Sequence, residues 1–155
     1  MGQGGRRFKI TKFRTMVLNA DRKLGDLRSR SLYHDGRLFK VPDDPRITRV
    51  GRWLRRSSLD ELPQLVNVLV GEMSLVGPRP PLPMEVELYE LHHYARFDVK
   101  PGITGPWQVS GRSEIRDFEE VVALESAYIR DWSVWADLRL LLRTIPAVFR
   151  MRGAF

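Results

Sequence analysis

The run SSLDELPQLVNVLVGEMSLVGPRP, from Ser57 to Pro80, restricts the possible folds more than any other part of this chain. Leu62, Leu65, Val66 and Leu69 recur at i, i+3, i+4 and i+7, the spacing of one apolar face of a helix. Gly71 follows the last of them and stops the helix. The start is constrained by Pro63, which has no N–H to donate. A capping box of Ser58 with Glu61 would put Pro63 at the fifth helical position, where that missing donor is costly. With Asp60 as N-cap, Pro63 falls at N3, where no intrahelical bond is lost. The second start is the better one. It places the adjacent carboxylates of Asp60 and Glu61 at the positive end of a helix, which favours their ionised forms.

Around this helix the chain reads as further short elements. Phe8 and Ile10 alternate with polar residues and predict a short strand leading into KFRTM. Thr15 can cap a helix through about Arg30, with Val17, Leu24 and Leu27 on its apolar side. SLYHDGRLFKVPDDPR is a polar loop with Asp-Gly and Asp-Pro turn signals. Ile47 to Arg56 predicts a basic helix, and Pro83 to Tyr94 a further one. PGITGPWQVSGR reads as an irregular loop, and two helices, from Asp117 to Arg130 and from Ser133 to Arg152, close the chain. The expected fold is α+β: a predominantly helical single domain with a small β element and a C-terminal amphipathic helix.

The charge balance narrows the partners. In 155 residues, 26 Lys and Arg face 19 Asp and Glu, for a net charge of +7, and only five of the cations are lysine. Arginine offers a planar fork of donors that grips phosphate at two points. Nucleic acid, anionic lipid or a diphosphate substrate are the partners this suggests. Zero cysteines exclude disulfides, thiolate metal sites and a cysteine nucleophile. No P-loop and no GxSxG elbow occurs. His34, His92 and His93 show no metal spacing with acids, and His92–His93 reads as a helix-surface pair.

An ionised Asp with backbone donors nearby suits a nucleophile acting on phosphorus. The Asp60–Glu61 pair also suits plain helix capping, which the local pattern alone favours while leaving both roles open. A carboxylate approaching a diphosphate meets repulsion of roughly 4 kcal/mol per charge pair at about 4 Å, for an effective dielectric near ~20. Cations must offset it. Pro78 and Pro80 restrict the backbone on both sides of Arg79 and can pre-position its guanidinium.

SSLDELPQL, GEMSLVGPRP, KFRTM and PGITGPWQVSGR, in this order and spacing, resemble the bacterial sugar transferase family, the monotopic polyprenyl-phosphate phosphoglycosyl transferases. The resemblance runs over essentially the whole chain, residues 1–155, as a catalytic domain. It implies that Asp60 attacks the β-phosphate of a nucleoside-diphosphate sugar, a UDP-sugar, and expels the nucleoside monophosphate. A polyprenyl phosphate then takes the sugar phosphate from the aspartyl intermediate. It implies Glu61 as the ligand of Mg²⁺, and Lys12, Arg55, Arg79 and Arg112 as substrate phosphate-binding residues. It implies a membrane surface as partner, at the cytoplasmic face of the bacterial inner membrane, and no nucleic acid. The hydrophobic N-terminal anchoring segment of the family is not in this sequence, and no run here approaches 18 apolar residues.

The last helix bears on location. Trp132, Trp135, Leu138, Leu141, Leu142, Ile145, Val148 and Phe149 form an apolar stripe with Arg139, Arg143, Arg150 and Arg152 off it. Such a helix serves either an interfacial membrane site or the core. Pro146 is expected to kink it. Two other functions stay open on sequence alone: a basic nucleic-acid-binding module, and an inactive membrane-peripheral partner of a longer transferase.

Overall fold

A computed structural model describes residues 1–27, 31, 36–38, 41–111, 115 and 117–149. The expected α+β class, mostly helical with a small sheet, is what it shows. The helices are α1 (Leu24–Leu27), α2 (Arg49–Arg56), α3 (Gln64–Leu69), α4 (Pro83–Val86), α5 (Pro106–Val109), α6 (Phe118–Arg130) and α7 (Val134–Phe149). The strands β1 (Ser74–Val76) and β2 (Gly102–Thr104) pair in parallel, with Ser74 opposite Gly102 and Val76 opposite Thr104. Parallel pairing needs a long crossover, and the segment between the strands carries α4 and a 3-10 helix, Leu91–Phe97. At the pairing the backbones touch: a Cβ added to Gly102 would lie 2.1 Å from the Gly77 nitrogen.

The core forms where α5 and α6 meet. Asp117 caps α6 by accepting from the Glu119 N–H, and the helix turns Phe118, Val121, Val122 and Glu125 inward. Phe118, Val121 and Val122 pack with Trp107 and Leu38. Three of the four inward positions are apolar; the fourth, Glu125, is a fully buried carboxylate.

Several elements depart from the sequence reading. No strand forms at Phe8–Ile10; the Lys9 carbonyl and the Thr11 N–H bond to the Asn67 side chain instead of to a neighbouring strand. Thr15 caps no helix. Its carbonyl accepts from Thr48 N–H, Asn19 turns the chain at φ 57°, and helical structure begins only with a 3-10 turn at Ala20–Lys23. The segment Pro83 to Tyr94 breaks after Val86, and the PGITGPWQVSGR loop contributes β2 and α5.

The apolar face of α3 is present but turned outward. Gln64 and Asn67 are its buried residues, whereas Leu65, Val66 and Leu69 are exposed, Leu69 at 86%. Trp132 just before α7, and Trp135, Leu138, Leu142 and Ile145 along it, are exposed too, while Thr144 joins Thr104 across a 2.7 Å hydroxyl contact. These five residues of the stripe are therefore not core. Helix α7 runs on through Pro146 to Phe149.

Candidate active site

Helix α2 and the turn after it place the acid pair. Thr48 caps α2 by accepting from the Gly51 N–H over 2.9 Å. Ser57 ends the helix, and Ser58 then takes φ 55°, an uncommon backbone state for a residue other than glycine. The reversal opens a 3-10 turn, Leu59–Glu61, that holds both carboxylates; α3 begins only at Gln64, after Pro63. Asp60 is therefore not the N-cap of α3. It sits inside a preceding turn and is 8% exposed.

This placement reverses the electrostatic expectation. Burial, then the charge of Glu61, push the Asp60 carboxyl above its ordinary value, against the opposing pull of Lys12 and Arg55. Burial in turn lowers the Arg55 guanidinium, while Asp60 and Asp44 raise it. The ionised forms are thus poorly solvated and depend on each other.

The extended segment through KFRTM forms the opposite wall. Phe13 N–H donates to the Asp60 carbonyl at 3.0 Å, and Lys12 Nζ lies 2.7 Å from Glu61 Oε1. Two residues on, Arg55 Nε–H donates to Thr15 Oγ1 at 2.9 Å. Asn67 holds this segment to α3: its Oδ1 accepts from Thr11 N–H, and its amide donates to the Lys9 carbonyl and to Glu72. Beside it, Arg46 grips Asp44 through Nε and Nη2, at 2.9 and 2.6 Å, in a buried pair. Burial would raise the Asp44 carboxyl, but the hydrogen bonds and charge of Arg46 outweigh it and hold it low.

Four of the sequence-derived residues, Lys12, Arg55, Asp60 and Glu61, therefore converge. Arg79 lies in a different network. Its Nη1–H donates to Glu85 Oε2 at 3.1 Å, and its backbone N–H donates to Glu125 Oε1 at 3.1 Å. Arg112 is outside the described residues. Thr15, Asp44, Arg46 and Asn67 were missed by sequence reasoning. The one available signal was a polar minority, Gln64 and Asn67, sharing a face of an otherwise apolar helix.

A second cluster joins His92, His93 and Glu119, which the chain order did not suggest. His92 Nε2 is 2.8 Å from Glu119 Oε2, and the wholly buried His93 places Nε2 2.9 Å from Glu119 Oε1. His93 Nδ1 accepts from the Glu90 N–H at 2.8 Å, so the ring proton sits on Nε2 and points at Glu119. That tautomer leaves His93 no lone pair for a cation, and Arg37 Nη1 already lies 2.6 Å from the same carboxylate. The cluster reads as an interlock between the 3-10 helix and the start of α6.

Comparison with known proteins places this geometry. The family model for bacterial sugar transferases matches residues 1–151. The galactosyl transferase CpsE of Streptococcus agalactiae is 47% identical over 99% of this chain and 34% of its own length. The UDP-galactose-lipid carrier transferase of Erwinia amylovora is 45% identical over 100% of the chain and 33% of its length. The undecaprenyl-phosphate galactose phosphotransferase of Salmonella typhimurium is 44% identical, again over 100% and 33%. The chain spans about a third of the length of each of these relatives.

Proposed function

The chain belongs to the bacterial sugar transferase family, and from that footing we propose that it moves a sugar 1-phosphate from a UDP-sugar to a polyprenyl phosphate through an intermediate on Asp60. The observation that carries the reading is the pairing of a largely buried carboxylate, raised by burial and by Glu61, with the cations Lys12 and Arg55. In the first step an Asp60 oxygen attacks the β-phosphorus. The bond from that phosphorus to the bridging oxygen breaks, and uridine monophosphate leaves with the electron pair. In the second step a phosphate oxygen of the polyprenyl carrier attacks the same phosphorus and releases the Asp60 carboxylate. Lys12 and Arg55 offset charge that gathers on phosphate oxygens. The UDP donor and undecaprenyl acceptor accord with the names of two of the relatives, and all three names refer to galactose.

The donor set suits Mg²⁺. Glu61 is a hard oxygen ligand beside a second carboxylate, and Mg²⁺ commonly binds through one or two carboxylates plus substrate phosphates. Glu61 Oε1 already takes a cation as partner, Lys12 Nζ at 2.7 Å. Glu61 would hold the ion. When bound, it would neutralise charge on the diphosphate.

A membrane surface is the partner we assign to the outward apolar residues. Leu65, Val66 and Leu69 of α3, and Trp135, Leu138 and Leu142 of α7, are exposed, and Arg139 and Arg143 of α7 carry charge that anionic lipid attracts by about 1 kcal/mol each. Among the described residues no helix is long and apolar enough to cross a membrane. A peripheral position at the cytoplasmic face of the inner membrane fits this surface, since nucleotide sugars reside in the cytoplasm.

The test is magnesium-dependent release of nucleoside monophosphate from a panel of UDP-sugars, with undecaprenyl phosphate in detergent. Release from one sugar by the wild type, and none by Asp60→Asn, is the expected result. No release from any sugar would sink the transferase reading.

A further inference from the structure

Between Pro78 and Pro80, Arg79 supplies the single main-chain N–H of a three-residue run, because proline has none. The structure gives that donor to Glu125 Oε1 at 3.1 Å. The carbonyl of the same residue accepts from Arg96 Nη2 at 3.2 Å. Arg96 Nε in turn donates to Glu125 Oε2 at 2.5 Å, which closes a ring around the main chain of one residue, Arg79. The side chains of Arg96 and Glu125 are 1% and 0% exposed. The third face of Arg96 is taken by the Tyr89 hydroxyl, and its guanidinium stacks over the Tyr89 and Phe118 rings.

A buried ion pair is seldom the cheapest way to stabilise a core, since apolar residues of similar volume often serve as well. What this pair provides that apolar residues cannot is a fixed address for a backbone N–H and a backbone C=O. Both belong to Arg79. Beyond that anchor, the Arg79 side chain is 28% exposed and is steered by Glu85, whose Oε2 also accepts from the Leu82 N–H at 2.8 Å. Main chain and guanidinium are thus restrained separately, and the partly exposed cation has few conformations to lose on binding an anion.

We infer that Arg96 and Glu125 are positioning residues for the transferase reaction, acting through the Arg79 main chain to aim its guanidinium at substrate phosphate. The inference rests on the transferase reaction proposed above and on the substrate phosphate-binding role that the family resemblance implies for Arg79. Misplacing a substrate-contacting group by about 1 Å can lower turnover on the order of 100-fold. A pair that only stabilised the fold would instead leave the turnover of folded enzyme untouched.

The test is a double-mutant cycle on nucleoside monophosphate release, using Arg79→Ala, Arg96→Lys and the two combined. We expect each single change to lower kcat roughly 10- to 100-fold with KM within about threefold of wild type, and the double variant to be no slower than Arg79→Ala alone. Unchanged kcat in Arg96→Lys, or losses that multiply in the double variant, would overturn the inference. Wild-type activity in Arg79→Ala would instead remove the phosphate-binding reading on which it stands, so the two failures are told apart. Circular dichroism reports whether Arg96→Lys folds. If it does not, Tyr89→Phe, which deletes only the hydroxyl that holds Arg96, enters the same cycle under the same criteria, with an expected loss of about three- to tenfold.

Discussion

The backbone N–H of Phe13 donates to the carbonyl of Asp60 over 3.0 Å, tying the KFRTM segment to the turn that carries both acids. The bond anchors the Asp60 main chain while its carboxyl stays poorly solvated. Burial and Glu61 raise that carboxyl above 3.8 in the folded state. A carboxyl raised on folding stabilises the native state most below its unfolded value, and that contribution is lost as pH rises through the folded one. At neutral pH the ionised group is therefore a cost. Asp60→Asn should melt at or above the wild-type temperature at pH 7, the difference shrinking as pH falls toward 3.8, while activity disappears. A clearly lower melting temperature at pH 7 would count against the burial argument. The acid limb of kcat/KM should also be displaced upward from the ordinary aspartate value.

Glu119 has the opposite sign. Its hydrogen bond to His92, with those to His93 and Arg37, brings it down to about 2 from 4.5. A lowered carboxyl adds stability above its unfolded value and loses it as pH falls toward the folded one. The melting temperature of Glu119→Gln should therefore sit below wild type at pH 6 and converge with it between pH 4.5 and about 2. Parallel curves across that range would show that the His92–His93 contacts do not stabilise the ionised form.

Gly51 is where the site meets a hard steric limit. A Cβ there would lie 2.0 Å from the Thr15 carbonyl oxygen, which already accepts from Thr48 N–H. The clash falls on the residue whose hydroxyl receives Arg55. Gly51→Ala should cost about 1–3 kcal/mol in urea unfolding, as overpacking does, and should lower kcat as Arg55 shifts. Unaltered stability would mean that α2 can move away from Thr15 freely.

The outward face of α3 and the inward face of α6 should respond in opposite ways. Leu65→Ser with Leu69→Ser removes exposed apolar surface and should alter stability by no more than about 0.5 kcal/mol per site, yet weaken co-sedimentation with anionic vesicles several-fold. Phe118→Ala empties a wholly buried position and should cost about 3–5 kcal/mol. Vesicle binding that survives the α3 changes would assign the membrane contact to α7 alone.

How far the sequence could be read follows from what kind of force sets each feature. The α3 periodicity was legible because it is local, but its direction was not. Which face turns inward is decided by Asn67 bonding to Lys9 and Thr11, more than fifty residues away. Asp60 stood out as a candidate nucleophile from motif context. Its place in a 3-10 turn was not, since that depends on Ser58 adopting φ 55°. Thr15 was misread as a cap because its hydroxyl is used by Arg55, a partner far along the chain. Glu125 gave no local sign of being buried, because the cation that makes burial tolerable, Arg96, comes from another element. Local patterns were readable, and long-range polar pairings were not.

Mass spectrometry of the protein after brief incubation with a UDP-sugar and Mg²⁺, with no lipid acceptor, examines the role of Asp60 most directly. A phosphosugar adduct should appear on the peptide that contains Asp60, vanish when undecaprenyl phosphate is added, and be absent from Asp60→Asn. Uridine monophosphate release that persists in Asp60→Asn, or an adduct on another side chain, would contradict a nucleophilic Asp60.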